Sequence, residues 1–128
     1  MKFHHIGYAT KNIEKSKMNF LKLGYRDESD LFIDLQQGIR GIFLHSPDGP
    51  RIELVEQLEG FNVLEPWLSG GSPMYHLAFE INNEEKNQFR QNEFYVTEEK
   101  KATAFPNRCV QFSLNPDRFM IEFITEVK

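Results

Sequence analysis

Apolar and polar positions alternate from Phe3 to Thr10 and again from Met74 to Ile81, and with their aromatic and β-branched residues both stretches read as strands. Each leads into a helical pattern. In the first, Ile13, Phe20 and Leu21 recur at i, i+7 and i+8, Asn12 stands ready as a cap with Glu14 in the opening turn, and Gly24 stops the run. The second helix is weaker, with Asn83 as its expected cap, Glu84 and Glu85 in its first turn and Phe89 as its one obvious inward anchor. Three strand candidates follow each helix: near residues 30–35, 40–45 and 51–56 in the first half, and near 93–97, 110–114 and 119–125 in the second. Each half therefore reads β-α-β-β-β. Pro47-Asp48-Gly49 and Pro116-Asp117-Arg118 fall between the last two strands of each half, where proline presets one dihedral angle and Asp bonds back to the bend. A linker from Leu58 to Ser72 joins the halves, with a short helical turn expected at Pro66-Trp67-Leu68 and a stop at Ser69-Gly70-Gly71-Ser72-Pro73.

The halves also repeat in their chemistry. His5 and Glu53 stand 48 residues apart, His76 and Glu122 stand 46 apart. Around the carboxylates, Ser46-Pro-Asp-Gly-Pro-Arg-Ile-Glu53-Leu aligns without a gap on Asn115-Pro-Asp-Arg-Phe-Met-Ile-Glu122-Phe, which is the signature of an internal repeat. Strand periodicity gives the four one further property in common. Successive side chains on a strand point to opposite faces, so His5 shares a face with Gly7 and Ala9 while Ile6 and Tyr8 point away, and His76 shares one with Ala78 while Tyr75, Leu77 and Phe79 point away. Glu53 lies between Ile52 and Leu54, and Glu122 between Ile121 and Phe123. The apolar faces can pack on the helices, which leaves the polar faces to line a cavity. A carboxylate in such a cavity costs several kcal/mol unless its charge is compensated. One divalent ion compensates two, and two imidazoles with two carboxylates suit Ni(II), Co(II), Mn(II), Fe(II) or Zn(II).

Composition narrows the partners. A chain of 128 residues is long enough for one core and too short for two independent ones, so a single domain over residues 1–128 is expected, with module 1 near 1–60, the linker near 58–72 and module 2 near 73–128. The net charge of −4, with both signs mixed along the chain, provides no basic stripe for nucleic acid. No apolar run approaches the roughly 20 residues that span a bilayer, no signal-peptide pattern opens the chain, and the single Cys109 fits a reducing compartment. A cytoplasmic protein without a membrane partner is the expectation. Cys109 itself, in an apolar run, reads as a packed thiol. His4 faces away from the donors, His45 ends a strand beside a turn, and Glu56 and Glu80 receive no role.

His-His-Ile-Gly-Tyr-Ala at 4–9, Arg-Ile-Glu-Leu-Val-Glu at 51–56, Tyr-His-Leu-Ala-Phe-Glu at 75–80 and Asn-Pro-Asp-Arg-Phe-Met-Ile-Glu-Phe at 115–123 resemble the vicinal oxygen chelate superfamily. That group contains glyoxalase I, methylmalonyl-CoA epimerase, extradiol dioxygenases and the fosfomycin- and bleomycin-resistance proteins. The resemblance implies an α+β fold of two paired βαβββ modules, forming an open, curled mixed β-sheet barrel around one metal site with His5, Glu53, His76 and Glu122 as ligands. A ligand at Glu53 is similar to glyoxalase I, a lyase that isomerises a 2-oxoaldehyde–thiol hemithioacetal to a 2-hydroxyacyl thioester. Methylmalonyl-CoA epimerases usually carry Gln at that position, although the stretch from Ile52 through Trp67 to Glu80 also looks like theirs. Both share proton transfer next to a carbonyl, for which the resemblance implies Glu122 as base and Glu53 as ligand and second proton carrier, with the two roles exchangeable.

A glyoxalase I-type lyase is thus the first expectation, with one divalent ion (Ni, Co, Mn or Zn) and glutathione or another thiol as cosubstrate. An acyl-CoA epimerase is second, and a non-catalytic small-molecule binding protein is the rival from another class. Arg118 replaces the glycine common in the family's final Pro-Asp-Gly turn, and no counterpart is evident of the residues that hold the glutathione carboxylates. Arg40, Arg51 and Arg108 are candidates for an anionic substrate tail, with surface arginine as the plainer reading. A homodimer is expected, the site lying within one chain or shared between two.

Overall fold

The computed structural model describes residues 1–70, 72–91, 95–114, 117 and 119–127. The chain divides into two compact units, His5–Tyr75 and Met1–His4 with His76–Lys128. The first strand, β1 (Lys2–Ala9), contributes its residues from His5 onward to the first unit. There it is followed by α1 (Ile13–Lys22), two short strands β2 (Arg26–Asp27) and β3 (Phe32–Asp34), the longer β4 (Ile39–His45) and β5 (Ile52–Gln57), and the helical turn α2 (Glu65–Ser69). The second unit contains β6 (Met74–Glu80) from His76 onward, α3 (Asn83–Gln91), the two-residue β7 (Tyr95–Val96) and β8 (Lys100–Lys101), then β9 (Arg108–Leu114) and β10 (Met120–Glu126).

The two units share one topology. In the first, β1 runs parallel to β5, β5 pairs antiparallel with β4, and β2 and β3 both lie along the outer edge of β4. In the second, β6 runs parallel to β10, β10 pairs antiparallel with β9, and β7 and β8 lie along β9. Parallel strands cannot be joined by a tight turn, and here α1 with β2 to β4 leads from β1 to β5, as α3 with β7 to β9 leads from β6 to β10. The α+β fold of two βαβββ modules is therefore present.

Helix α1 starts as its sequence requires: the Asn12 side chain accepts from Lys15 N–H at 3.0 Å, Glu14 lies in the first turn, and Gly24 ends the run at φ +92°. A second acceptor arrives from far along the chain, since Ile13 N–H also donates to Glu56 Oε2 at 3.0 Å. Ile13 is buried, and with Tyr25, Ile42, Leu44, Ile52 and Leu54 it forms a core on which Ile6, Tyr8 and Phe20 pack. Fully burying side chains such as Leu44 and Leu54 contributes about 1.5–3 kcal/mol each.

Helix α3 corrects the expected cap by one residue. Asn82, not Asn83, is the cap: its Oδ1 accepts from Glu85 N–H at 2.9 Å while its own N–H donates to Glu85 Oε1 at 3.1 Å. This reciprocal pair is a capping box, which needs a Glu three residues after the cap; Asn83 has Lys86 there. Phe89 does anchor the helix, with its ring 4.6 Å from that of Phe123.

The edge strands are the other difference from expectation. The strand expected near residues 30–35 is present as β3, preceded by an unforeseen β2, and the strand near 93–97 is described only over Tyr95–Val96, joined by the unforeseen β8. The reason is a side chain that takes the place of the backbone in the ladder. Phe43 N–H donates to Ser29 Oγ at 3.0 Å, while the Phe43 carbonyl accepts from Glu28 N–H at 2.8 Å. In the second unit Phe112 N–H donates to Thr97 Oγ1 at 2.9 Å, and its carbonyl accepts from Thr97 N–H at 2.7 Å. Of the two expected turns, Pro47–Gly49 is described, whereas Pro116 and Arg118 lie outside the described residues, as does Gly71 in the linker.

Helix α2 confirms the helical turn expected at residues 66–68. It is pinned at its start by Gln57, whose Nε2 donates to Glu65 Oε1 at 2.7 Å and whose Oε1 accepts Leu64 N–H at 3.1 Å. Leu64, Trp67, Leu68 and Tyr75 pack with Ala9, Ile39 and Val55. The donor face of the first sheet is thus polar at His5 and Glu53 and apolar beyond them.

Candidate functional site

Each unit places one histidine beside one glutamate by the same register. In the first, β1 and β5 align Gly7 with Glu53, which puts Glu53 two residues along and on the same face as His5; the His5 Nε2 to Glu53 Oε1 distance is 3.5 Å. In the second, β6 and β10 align Ala78 with Glu122, again two residues along from the histidine, and His76 Nε2 lies 2.9 Å from Glu122 Oε2. Small residues at Gly7 and Ala78 leave room between the functional groups. The structure therefore brings together His5 with Glu53 and His76 with Glu122, as the repeat in the sequence requires.

All four are buried, with exposures of 0% for His5, 6% for Glu53, 2% for His76 and 5% for Glu122. Removing a carboxylate from water to this degree costs several kcal/mol unless positive charge lies close by. The donor set fits a divalent ion. Two ligands about 2.1 Å from one ion stand about 3 Å apart at right angles and about 3.4 Å apart at the tetrahedral angle, and the pair separations of 2.9 and 3.5 Å lie close to these two values. Imidazole and carboxylate together suit borderline first-row ions.

An aromatic ring accompanies each pair. Phe43 is the cross-strand partner of Glu53 on β4, and its ring meets that of His5 edge to face, 5.1 Å between centroids and 79° between planes. Phe112 is the cross-strand partner of Glu122 on β9, and meets His76 at 5.5 Å and 77°. Sequence reasoning passed over both. The signal was there: each phenylalanine precedes its glutamate by ten residues, in both halves.

The other candidates take structural places. His4 packs edge to face on Phe105 at 5.0 Å, and His45 is exposed at the end of β4. Glu56 is held between Ile13 N–H and Arg40, whose Nη2 lies 3.0 Å from Glu56 Oε1. Arg51 pairs with Glu28 at 2.8 Å and Arg108 lies 3.8 Å from Glu80. Each of the three arginines proposed for an anionic tail thus faces a carboxylate of its own unit. Cys109 is buried, and burial first, then the neighbouring Glu99, pushes its thiol up, which keeps it protonated at neutral pH. Among the described residues no helix is long and apolar enough to cross a membrane.

Comparison with known proteins agrees with this arrangement. No curated protein sequence matches the chain. Among solved structures, the methylmalonyl-CoA epimerase of Mycobacterium tuberculosis superposes with a TM-score of 0.80 at 20% identity, covering 99% of this chain and 89% of that one. A hypothetical protein from Bacillus halodurans C-125 gives 0.79 at 20% identity, over 99% and 95%. A variant of the Streptomyces coelicolor methylmalonyl-CoA epimerase in complex with 2-nitronate-propionyl-CoA gives 0.77 at 18%, over 100% and 99%. At these identities the likeness establishes the fold, which is that of the vicinal oxygen chelate proteins. The sequence itself matches the Glyoxalase/Bleomycin resistance protein/Dioxygenase superfamily over residues 4–112, and with paired βαβββ units that carry matching His–Glu pairs, the chain belongs to that superfamily.

Proposed function

We propose that His5, Glu53, His76 and Glu122 share one divalent first-row ion, and that the protein is an epimerase acting on the carbon next to the thioester carbonyl of an acyl-CoA. The observation that carries the reading is the pair of buried His–Glu units in matching register, which together offer one ligand atom from each of four residues. A divalent ion held by these donors would supply Lewis-acid polarisation of a carbonyl oxygen. The chain's own part is proton transfer. A Glu122 oxygen takes the proton from one side of the carbon, and Glu53, entering the cycle protonated, gives its own to the other side; Glu122 then releases its proton to water and Glu53 regains one, so that no net proton is gained or lost. Two carboxylates in equivalent settings suit a reaction whose forward and reverse directions are alike.

The sequence expectation put a glyoxalase I-type lyase first. The likeness of solved epimerases over the whole chain favours the epimerase. One feature keeps the lyase as second reading: a carboxylate, Glu53, occupies the place where epimerases usually carry Gln. Its substrate would be a 2-oxoaldehyde–thiol hemithioacetal.

A single preparation tests both. Metal-free protein is reloaded separately with Ni(II), Co(II), Mn(II) and Zn(II), then given methylmalonyl-CoA in heavy water and, in parallel, the methylglyoxal–glutathione hemithioacetal. Ion-dependent deuterium uptake at carbon 2 of the acyl group, followed by mass, supports the epimerase. Thioester formation alone, followed by absorbance, moves the assignment to the lyase. Stoichiometric ion binding with neither reaction rejects both in favour of a binding protein.

A further inference from the structure

The aromatic rings beside the histidines repeat in more than identity. Phe43 and Phe112 each sit opposite a glutamate of the site across an antiparallel ladder and each turns its ring edge to face with the histidine of the same unit. Each is also the residue at which the edge strand is interrupted, with a hydroxyl of Ser29 or Thr97 accepting its backbone N–H at 3.0 or 2.9 Å. An interruption of this kind re-aims the side chain next to it, which is why bulges gather beside functional sites. A purely structural aromatic would have no reason to recur with the same cross-strand partner, the same ring geometry and the same hydroxyl contact.

We infer that Phe43 and Phe112 are the positioning residues of the two histidines, each holding its imidazole at the rotation that aims Nε2 at the neighbouring carboxylate and its ion. The claim rests on the metal-site reading above only for its functional consequence; the ring orientation itself is set by the chain's own side chains. An imidazole swings about two side-chain bonds, and a ligand nitrogen serves only within a narrow range of them. Centroid separations of 5.1 and 5.5 Å with planes near perpendicular lie in the preferred range for edge-to-face contact. In the first unit the chain of support is longer. Phe32 stacks on Phe43 at 5.9 Å and 24°, and its ring lies over Gly41, where an added Cβ would stand 2.6 Å from Phe32 Cζ. Ser29, Phe32 and Gly41 therefore govern the aim of His5 through Phe43, and Thr97 governs that of His76 through Phe112.

The test has two arms, read on Phe43→Leu, Phe112→Leu, the ring-keeping Phe43→Tyr and Phe112→Tyr, and the remote Ser29→Ala and Thr97→Val. In ion-free protein, proton NMR reads the imidazole signals, which a neighbouring ring displaces. Calorimetric titration with Co(II), with the cobalt absorption band as a signature of coordination, reads the consequence. Leucine is expected to move the imidazole signals of its own unit, to lower Co(II) affinity about tenfold and to alter the band, while tyrosine restores all three. Ser29→Ala and Thr97→Val are expected to do the same more weakly, and they keep the question decidable if a leucine variant does not fold. Unmoved imidazole signals together with unchanged Co(II) affinity in folded leucine variants overturn the inference. Wild-type protein that binds no Co(II) overturns the metal-site reading instead, and the imidazole arm still decides the orientation claim.

Discussion

The two units carry the same four-part arrangement on unequal foundations. In the first, Ile13, Tyr25, Ile42, Leu44, Ile52 and Leu54 pack together beneath α1, and a second group around Leu64 covers the far end of the sheet. In the second, among the described residues, the group that matches the one around Leu64 is Ala78, Val110 and Ile124, with Ala102 and Phe105 against it, while Phe123 and Phe89 meet on the helix side. The helices differ likewise: α1 buries Ile13, whereas α3 leans on the half-buried Phe89. What the repeat keeps is the histidine, the glutamate in matching register, the phenylalanine opposite that glutamate and the hydroxyl at the broken edge. Packing can be satisfied by many apolar sets of similar volume, but a ligand atom must be aimed, and that leaves fewer solutions.

If the comparison holds, the largest effects follow from breaking it at the carboxylates. Glu122→Gln is expected to keep measurable ion binding, since three donors remain, and to lower turnover about a hundredfold to ten-thousandfold. Glu53→Gln removes the group that returns the proton and is expected to lose about as much. The two variants, compared by deuterium exchange and by titration with Co(II), ask whether the halves are chemically equivalent. Equal losses would make the two carboxylates interchangeable, and undiminished turnover in Glu122→Gln would remove it as the base.

The foundations can be compared in the same way. Leu54 and Ile124 are both almost wholly enclosed, at 0% and 1% exposure. Truncation to alanine is expected to cost about 2–5 kcal/mol at either place, the higher end for Leu54 because its surroundings are crowded with Ile13, Tyr25, Ile42 and Ile52 and cannot collapse far. Denaturant unfolding followed by circular dichroism measures both. A larger loss at Ile124 would contradict the unequal foundations described above.

Much of this was legible before any coordinate. The donors were readable because a repeat separates chemistry from coincidence: His5 or Glu53 alone is an ordinary strand residue, while the same pair at nearly the same spacing in each half is not. Strand periodicity then assigned all four to the face away from Ile6, Ile52, Leu77 and Phe123. Residues Phe43 and Phe112 were missed because a phenylalanine in an apolar strand is indistinguishable from core until its cross-strand partner is known. Register, which the sequence does not state, made them visible. The broken edges were missed for a related reason. Ser29 and Thr97 compete with the backbone for a ladder position, and such a substitution has no hydrophobic signature. Arg40 and Arg51 looked available to a ligand in sequence, yet each had a partner, Glu56 and Glu28, that only folding brings near.

The smallest expected difference lies at the helix starts, and acid should expose it. Both helices open on an asparagine whose Oδ1 accepts a backbone N–H, so Asn12→Ala and Asn82→Ala should each cost about 1 kcal/mol at neutral pH. The α3 cap has a second half that the Asn12 side-chain bond does not need, because Glu85 accepts the Asn82 N–H and also meets the amino group of Met1 at 2.6 Å. The amino terminus first, and then the Asn82 N–H, hold the Glu85 carboxyl below its ordinary 4.5. A carboxylate with a lowered folded value stabilises the native state above its ordinary value and loses that contribution as pH falls through the lowered one. Thermal unfolding of wild type and Glu85→Gln, compared from neutral pH down to about pH 3, should therefore show a gap between the two that narrows on acidification. The Asn12→Ala deficit, which involves no titrating acceptor at its Oδ1, should stay level over the same range. A gap for Glu85→Gln that did not change with pH would mean that the charge on Glu85 plays no part in starting α3.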